Sequence, residues 1–370
     1  MRACVVIGFA SAILGANVNA PAGSVEVVYA DIFNPRQANG SIRTATLLGQ
    51  MNELLVDTGG GLRGIAYDPV EQMIYWTDVD NFAIRRARSD GSCVETIISS
   101  GLGFPSAIDV DPVGRKIYWG DQADKMQALW RANLDGSEAE LIVPTAFHRG
   151  VQVDPVGGKV YWTTSTTQFK GEILRANLDG TDVETVISSL DAEFKPADIA
   201  LDLEGGFIYW TDYVVDIVRR ASPESPDHIE TLFIPPFNNN PRGIAIDLQA
   251  GHVYWGQDTD IITINSDLMR MNLNGSNPIV VLDDVGLVNS IILRETPPEL
   301  CAGDFVDSAT FAPPPDGSID AADLAYLLGA WGVQPSCADM VSSDTFEPPP
   351  DGNVDAADLA FLLGNWGLCE

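Results

Sequence analysis

The chain has 370 residues, 45% of them hydrophobic, with 52 Asp and Glu against 21 Lys and Arg and a formal net charge of −31. Such a charge repels phosphate and excludes nucleic acid as a partner, and three His without a Cys/His cluster leave little to build a zinc site from. The length exceeds one ordinary domain, although a propeller can use most of it as a single unit.

Residues 1–20 read as a secretory leader. Met1-Arg2 supplies the positive start, Ala3 to Ala16 form a short apolar stretch, and Val18-Asn19-Ala20 offers a small-residue cleavage site. The apolar run is too short to span a membrane and no later run is longer, so the expected location is secreted or cell-surface, with no transmembrane segment. Removing Cys4 with the leader leaves Cys93, Cys301, Cys337 and Cys369. Four cysteines allow three pairings, all open from sequence. At least one bridge is expected in the last seventy or so residues of a chain matured in an oxidising compartment.

Between residues 24 and 296 one sentence is repeated. Tyr75-Trp76-Thr77-Asp78, Tyr118-Trp119-Gly120-Asp121, Tyr161-Trp162-Thr163-Thr164, Tyr209-Trp210-Thr211-Asp212 and Tyr254-Trp255-Gly256-Gln257 recur. They stand roughly 43 to 48 residues apart, and a worn copy, Val28-Tyr29-Ala30-Asp31, precedes them at a similar interval. Each copy holds four short runs rich in β-branched and aromatic residues, separated by Gly, Pro, Asn and Asp turns, which is the content of one four-stranded blade. Adjacent strand residues point to opposite faces, so a Tyr-Trp pair needs both faces covered; a blade sandwiched between two others supplies that. An Asp seven residues before each clear Tyr (Asp68, Asp111, Asp154, Asp202, Asp247) is expected to accept turn amides in the first hairpin of each blade. Asn39-Gly40-Ser41 and Asn274-Gly275-Ser276 match a glycosylation sequon, yet they fall where other copies carry a turn, so turn chemistry is the expectation.

These units resemble the YWTD repeats of the low-density-lipoprotein-receptor family. The resemblance rests on the YWTD strand, the Gly-Ile-Ala-x-Asp run at Gly64 to Asp68 and Gly243 to Asp247, and the Leu-Asp-Gly turns at Leu134 and Leu178. It covers about residues 24 to 294 and implies an all-β, six-bladed β-propeller. The chain enters at the second strand of a blade and ends on a first strand, so residues 26–31 are expected to pair with 289–294 and close the ring.

The first strands of such a propeller line its channel. Their leading residues are, in order, Arg63, Ser106, Arg149, Ala197, Arg242 and Asn289. Arginine in alternate blades would gather three guanidinium groups at one mouth, where a carboxylate, a phosphate or an acidic loop of an extracellular protein would suit them; the competing expectation is that each Arg pairs with an acidic neighbour. No glycine-flanked Ser stands with a convincing His and Asp, so a binding protein is expected and no enzyme. The alternative is a propeller hydrolase or lactonase with a metal in the channel, around Asp109, Asp198 and Asn289.

Past a linker at 297–300 the composition changes. Residues 301–370 contain no Lys or Arg and are a duplication: Pro313-Pro314-Pro315-Asp316-Gly317 returns as Pro348-Pro349-Pro350-Asp351-Gly352. In each copy Leu324, Leu327, Leu328 and Trp331, or Leu359, Leu362, Leu363 and Trp366, make an apolar helical stripe. The Asp-Gly-x-hydrophobic-Asp-x-x-Asp spacing resembles the second half of an EF-hand-type loop, duplicated as in dockerin domains. That implies Ca2+ ligation by Asp316, Asp320, Asp323, Asp351, Asp355 and Asp358, and a tail that docks or anchors the molecule. Early loop positions depart from the pattern, being Ala312, Pro314, Glu347 and Pro349, so a capped helix after a stiff acidic turn is the competing expectation.

Overall fold

The structure is a computed structural model that describes residues 25–31, 40–46, 52–123, 126–165, 171–188, 194–235, 240–260 and 265–295. The leader, the linker, the duplicated tail with its six carboxylates, and Asn39 lie outside the described residues.

The strands form six four-stranded antiparallel sheets. The chain begins in the closing blade with β1 (Val25–Asp31), β2 (Ser41–Thr46) and β3 (Asn52–Asp57). Blade 1 follows, with β4 (Leu62–Asp68), β5 (Met73–Asp78), β6 (Ala83–Arg88) and β7 (Glu95–Ile98). Blade 2 holds β8 (Pro105–Asp111), β9 (Lys116–Ala123), β10 (Met126–Asn133) and β11 (Glu140–Pro144). Blade 3 holds β12 (Phe147–Asp154), β13 (Lys159–Ser165), β14 (Gly171–Asn177) and β15 (Glu184–Ser188). Blade 4 holds β16 (Pro196–Asp202), β17 (Phe207–Asp212), β18 (Ile217–Ala221) and β19 (Glu230–Phe233). Blade 5 holds β20 (Pro241–Asp247), β21 (His252–Asp260), β22 (Asn265–Asn272) and β23 (Ile279–Val285). β24 (Val288–Glu295) then pairs with β1, from Val25 opposite Glu295 to Asp31 opposite Val288. The expected ring closure is therefore present, and it completes a six-bladed β-propeller.

The aromatic pair glues the blades. Trp76, Trp119, Trp162, Trp210 and Trp255 are fully buried. Each apolar cluster joins the Tyr of one blade to the Trp of the next: Tyr75 with Trp119, Tyr118 with Trp162, Tyr161 with Trp210, and Tyr209 with Trp255. The worn copy fills both remaining places, Tyr29 packing with Tyr254 and Val28 with Trp76. The Thr of the motif is a second clasp. Thr211 Oγ1 accepts the Asp198 N–H at 3.2 Å within its blade and donates to the Arg242 carbonyl of the next at 2.6 Å. Thr77 and Thr163 repeat this toward Ser106 and Ala197. At Gly256 no Thr fits, because a Cβ there would stand 2.6 Å from Val288 Cβ of the closing blade.

The repeated Asp residues do what their offset implies. Asp68 accepts the Val70 amide at 2.8 Å, Asp111 that of Gly114 at 2.8 Å, Asp154 that of Gly157 at 2.7 Å, Asp202 that of Gly205 at 2.6 Å and Asp247 that of Ala250 at 2.8 Å. Asn274 is likewise a turn residue, accepting the Ser276 amide and hydroxyl. In the closing blade no hairpin follows the first strand, and the equivalent position carries the opposite charge. Arg294 there is buried, pairs with Glu26 at 3.0 Å and donates to the Ser89 carbonyl of blade 1.

Candidate functional site: the arginine-lined channel mouth

The six first strands pack side by side about the axis, and their leading residues line one small pocket at the channel mouth. The structure brings Arg63, Arg149 and Arg242 together on this wall. Two features of sequence make room. Ser106, Ala197 and Asn289 between them are short, and each Arg is followed by a glycine against which the next blade's backbone packs; a Cβ on Gly243 would stand 2.6 Å from Ser290 Cα. Asn289 also stiffens the wall, donating its amide to the Arg63 carbonyl at 2.8 Å.

The three guanidiniums are not equivalent. Arg242 Nε reaches both oxygens of Asp258, at 2.8 and 3.0 Å, and Asp258 accepts the Ser266 hydroxyl as well. For this arginine the acidic-neighbour expectation holds. Arg63 and Arg149 have no acidic partner within ion-pair distance among the described residues; each lies over an aromatic ring instead. The Arg63 guanidinium carbon stands 4.7 Å from the Phe104 ring centre, and that of Arg149 stands 5.5 Å from Tyr213. Such contacts hold a cation without neutralising it. Burial, and then the field of Arg242, push Arg63 below the ordinary arginine range. Burial together with Arg63 and Arg242 pushes Arg149 down to about 10. Among the described residues, two positive charges without an acidic ion-pair partner thus stand at the mouth of a strongly acidic protein.

Below them stand two carboxyls. Asp198 sits one residue down its strand from Ala197 and accepts the amides of Ile199 at 3.0 Å and Ile244 at 3.1 Å. Asp109 lies deeper and accepts the Val153 amide at 2.7 Å. Asp198 lines the same pocket, and both residues are half-buried. Desolvation lifts each to about 7, with Asp109 adding to the rise at Asp198. At neutral pH they are close to half protonated, so they offset the arginines incompletely.

Sequence reasoning missed Phe104, Tyr213 and Asp258. A signal existed: Tyr213 and Asp258 occupy one repeat position, immediately after the motif, where the other clear copies have Val79, Gln122 and Ser165. Positions that vary while the motif repeats are those that decorate the mouth. Among the described residues no group of three or more His, Cys, Asp or Glu could hold a metal ion, and no helix is long and apolar enough to cross a membrane.

Compared with models of known protein families, the chain matches none. A stretch of 46 residues is 46% identical to low-density lipoprotein receptor-related protein 5 of Mus musculus and of Homo sapiens, covering 12% of this chain and 3% of each relative. The match thus spans a small fraction of those relatives' length. Among solved structures, one titled as a nidogen/laminin complex superposes with a TM-score of 0.61 at 23% identity, covering 73% of this chain and 98% of that one. TolB from Acinetobacter baumannii gives 0.58 at 15% identity over 72% of this chain and 66% of its own. A putative TolB from Agrobacterium tumefaciens gives 0.54 at 13% identity, over 75% and 99%. These likenesses place the chain among β-propellers, with YWTD-type repeats as the local sequence match.

Proposed function

We propose that the chain is an exported, non-enzymatic binding protein whose channel mouth recognises an anionic group, a carboxylate or phosphate presented by an extracytoplasmic protein or ligand. One observation carries the reading: Arg63 and Arg149 hold half-buried charge with no acidic partner among the described residues, beside Arg242 at one pocket on the axis. Unpaired buried charge is costly to a fold, and a bidentate anion is the partner that guanidinium geometry fits. The nidogen/laminin complex supports protein recognition as a use of this fold. The duplicated tail serves as a docking or anchoring element and binds calcium through Asp316, Asp320, Asp323, Asp351, Asp355 and Asp358.

The test is calorimetric titration of the intact chain with inorganic phosphate and with a poly-glutamate peptide, against a chain carrying Arg63→Met and Arg149→Met. Binding that weakens at least tenfold in the variant supports the mouth as the site. Equal binding by both chains, or an unchanged set of partners recovered from culture medium, removes it. Titration with calcium, compared with a chain carrying Asp320→Asn and Asp355→Asn, tests the tail; no heat at millimolar ion rejects it. A channel-metal hydrolase is the other reading. It would draw on Asp109, Asp198 and Asn289, whose oxygens and amide are already committed to Val153, Ile244 and the Arg63 carbonyl. Turnover in a lactone and ester screen would favour it.

A further inference from the structure

The pocket that gathers three guanidiniums is also lined by one carboxyl, that of Asp198. We propose that Asp198 makes anion binding at the mouth proton-linked: the mouth takes up a proton on this carboxyl as it takes up its anion, holds the anion in acid surroundings and releases it as the medium turns alkaline. The inference rests on the binding reading above and adds its regulation.

The repeat register singles out Asp198. It stands one place past the leading residue of its first strand, where the other blades carry Gly64, Ala107, Gly150, Gly243 and Ser290. One blade in six thus sets an acid where the rest are small and neutral. The carboxyl is pinned by backbone, accepting the Ile199 amide at 3.0 Å and, from blade 5, the Ile244 amide at 3.1 Å. Joining two blades does not require its charge. Ser290 makes the equivalent contact with a hydroxyl, which accepts the Ile65 amide at 3.3 Å. Among the described residues Asp198 forms no ion pair with the arginines of its own pocket, and Arg242 is already held by Asp258 at 2.8 Å. A negative group is therefore fixed beside the anion's place without being neutralised there.

The groups around it come from every neighbouring element. β12 brings Arg149, β4 brings Arg63, and β20 brings Arg242 with its Asp258 partner on β21. β8 brings Asp109, β17 ends on Asp212, itself paired with Arg219 of β18 at 3.5 Å, and Lys195 before β16 lies over the Tyr213 ring. β13 and β24 offer the uncharged Thr163, Asn289 and Ser290. Burial lifts the carboxyl to about 7, with Asp109 adding to the rise and Arg149 opposing it. A bound anion changes both of those influences in one direction. It adds a negative charge, and it engages the Arg149 charge that favours the ionised form. One such charge within about 10 Å, at an effective dielectric of about 20, raises a carboxyl by about one further unit. The sign follows. Below about pH 7 Asp198 is mostly neutral and binding is tightest; above it, binding must draw a proton from solution, and affinity falls. A shift of one unit makes the dissociation constant about fivefold weaker at pH 8 than at pH 6. Arg149, at about 10, stays charged throughout that window.

The experiment is calorimetric titration of the intact chain with an N-acetylated tetraglutamate peptide between pH 6 and 8, repeated at pH 7 in two buffers of different ionisation heat. The peptide stays fully ionised over this range, whereas phosphate has an ionisation of its own close to it. The expected result is affinity about fivefold weaker at pH 8 than at pH 6, with about 0.4 proton taken up per peptide at pH 7. Asp198→Asn should abolish both the slope and the uptake. A merely structural role for Asp198 moves neither. The buffer comparison needs only the wild type, so zero uptake overturns the proposal even where the variant folds poorly. Wild-type binding that is flat with pH, or a slope that survives Asp198→Asn, also overturns it while leaving the arginine mouth as the site. Absence of wild-type binding at every pH removes both readings together.

Discussion

Replacing Arg149 with Met should make the protein more stable and less able to bind. The guanidinium falls from its ordinary 12.5 to about 10 on folding, chiefly through burial and then through Arg63 and Arg242, which corresponds to about 3 kcal/mol against the charged form. For a base depressed in this way the cost is present at every pH below about 10. It is therefore constant across the neutral range and does not mimic a pH effect. Methionine keeps a comparable apolar stem but loses the contact with Tyr213, worth about 1 kcal/mol. The net expectation is a gain of about 2 kcal/mol in urea unfolding at pH 7 with an unchanged m-value, or a melting rise on the order of 4 to 8 °C. The control is Arg86→Met. That guanidinium is held by Glu95 at 2.6 Å and donates to the Leu134 carbonyl of the next blade, and its pKa is raised. The same substitution there should destabilise. If Arg149→Met lowered the unfolding midpoint as Arg86→Met does, the guanidinium would be a structural clasp and the binding face would lose its main support.

The buried carboxyl beneath it gives a pH signature. Asp198 rises to about 7 in the fold, so its neutral form is favoured: stability is full below about pH 4 and is lost as pH climbs through 7. Between pH 5 and 8 the wild type should lose about 2 to 3 kcal/mol relative to Asp198→Asn, and parallel urea midpoints for the two chains would contradict this. At the seam, Arg294→Met leaves the half-buried Glu26 without its ion-pair partner and the Ser89 carbonyl without its donor, and should cost about 3 kcal/mol in denaturant unfolding; a loss under 1 kcal/mol would mean that strand pairing alone holds the ring. Thr211→Val strands the Asp198 amide and the Arg242 carbonyl and should cost about 2 kcal/mol, read by the same assay, with no change expected if water replaces the hydroxyl.

The fold was legible because its cause is local and repeated. Adjacent Tyr and Trp demand two covered faces, and the ring fills those faces blade by blade, down to Val28 and Tyr29 standing in at the worn copy. Ring closure was legible because β1 lacks a first strand and β24 lacks a second. The gathering of Arg63, Arg149 and Arg242 followed from register alone. What register could not supply were contacts set by segments outside the motif. Asp258 singles out Arg242 for neutralisation, while Phe104 and Tyr213 hold the other two guanidiniums; Phe104 comes from the connection before β8, and Tyr213 and Asp258 stand just past the motif, where the copies differ in residue type. Arg294 was hidden for a different reason. Its position reads as a hairpin Asp in five copies, and only the missing hairpin at the seam explains a positive charge there.

A ring of identical blades would bind nothing selectively, because every position on its face would be offered six times. Selectivity must come from departures, and the departures here separate by location. Those at the mouth, Arg63 and Arg149, set charge without an acidic partner among the described residues into one pocket and act against stability, while Asp258 neutralises Arg242 and Tyr213 holds Arg149. Those at the seam, Arg294 and Glu26, close a buried charge pair where the chain's two ends meet and act for it. The Tyr-Trp clusters between blades lie away from both, so a mouth substitution and a seam substitution share no contact among those described. Their effects on unfolding free energy should therefore add within about 0.5 kcal/mol. A chain carrying Arg149→Met and Arg294→Met should fall close to the sum of the single variants, about 1 kcal/mol below wild type if the gain of about 2 meets the loss of about 3. A large departure from that sum would show the ring transmitting strain from seam to mouth, and the division of labour between them would fail.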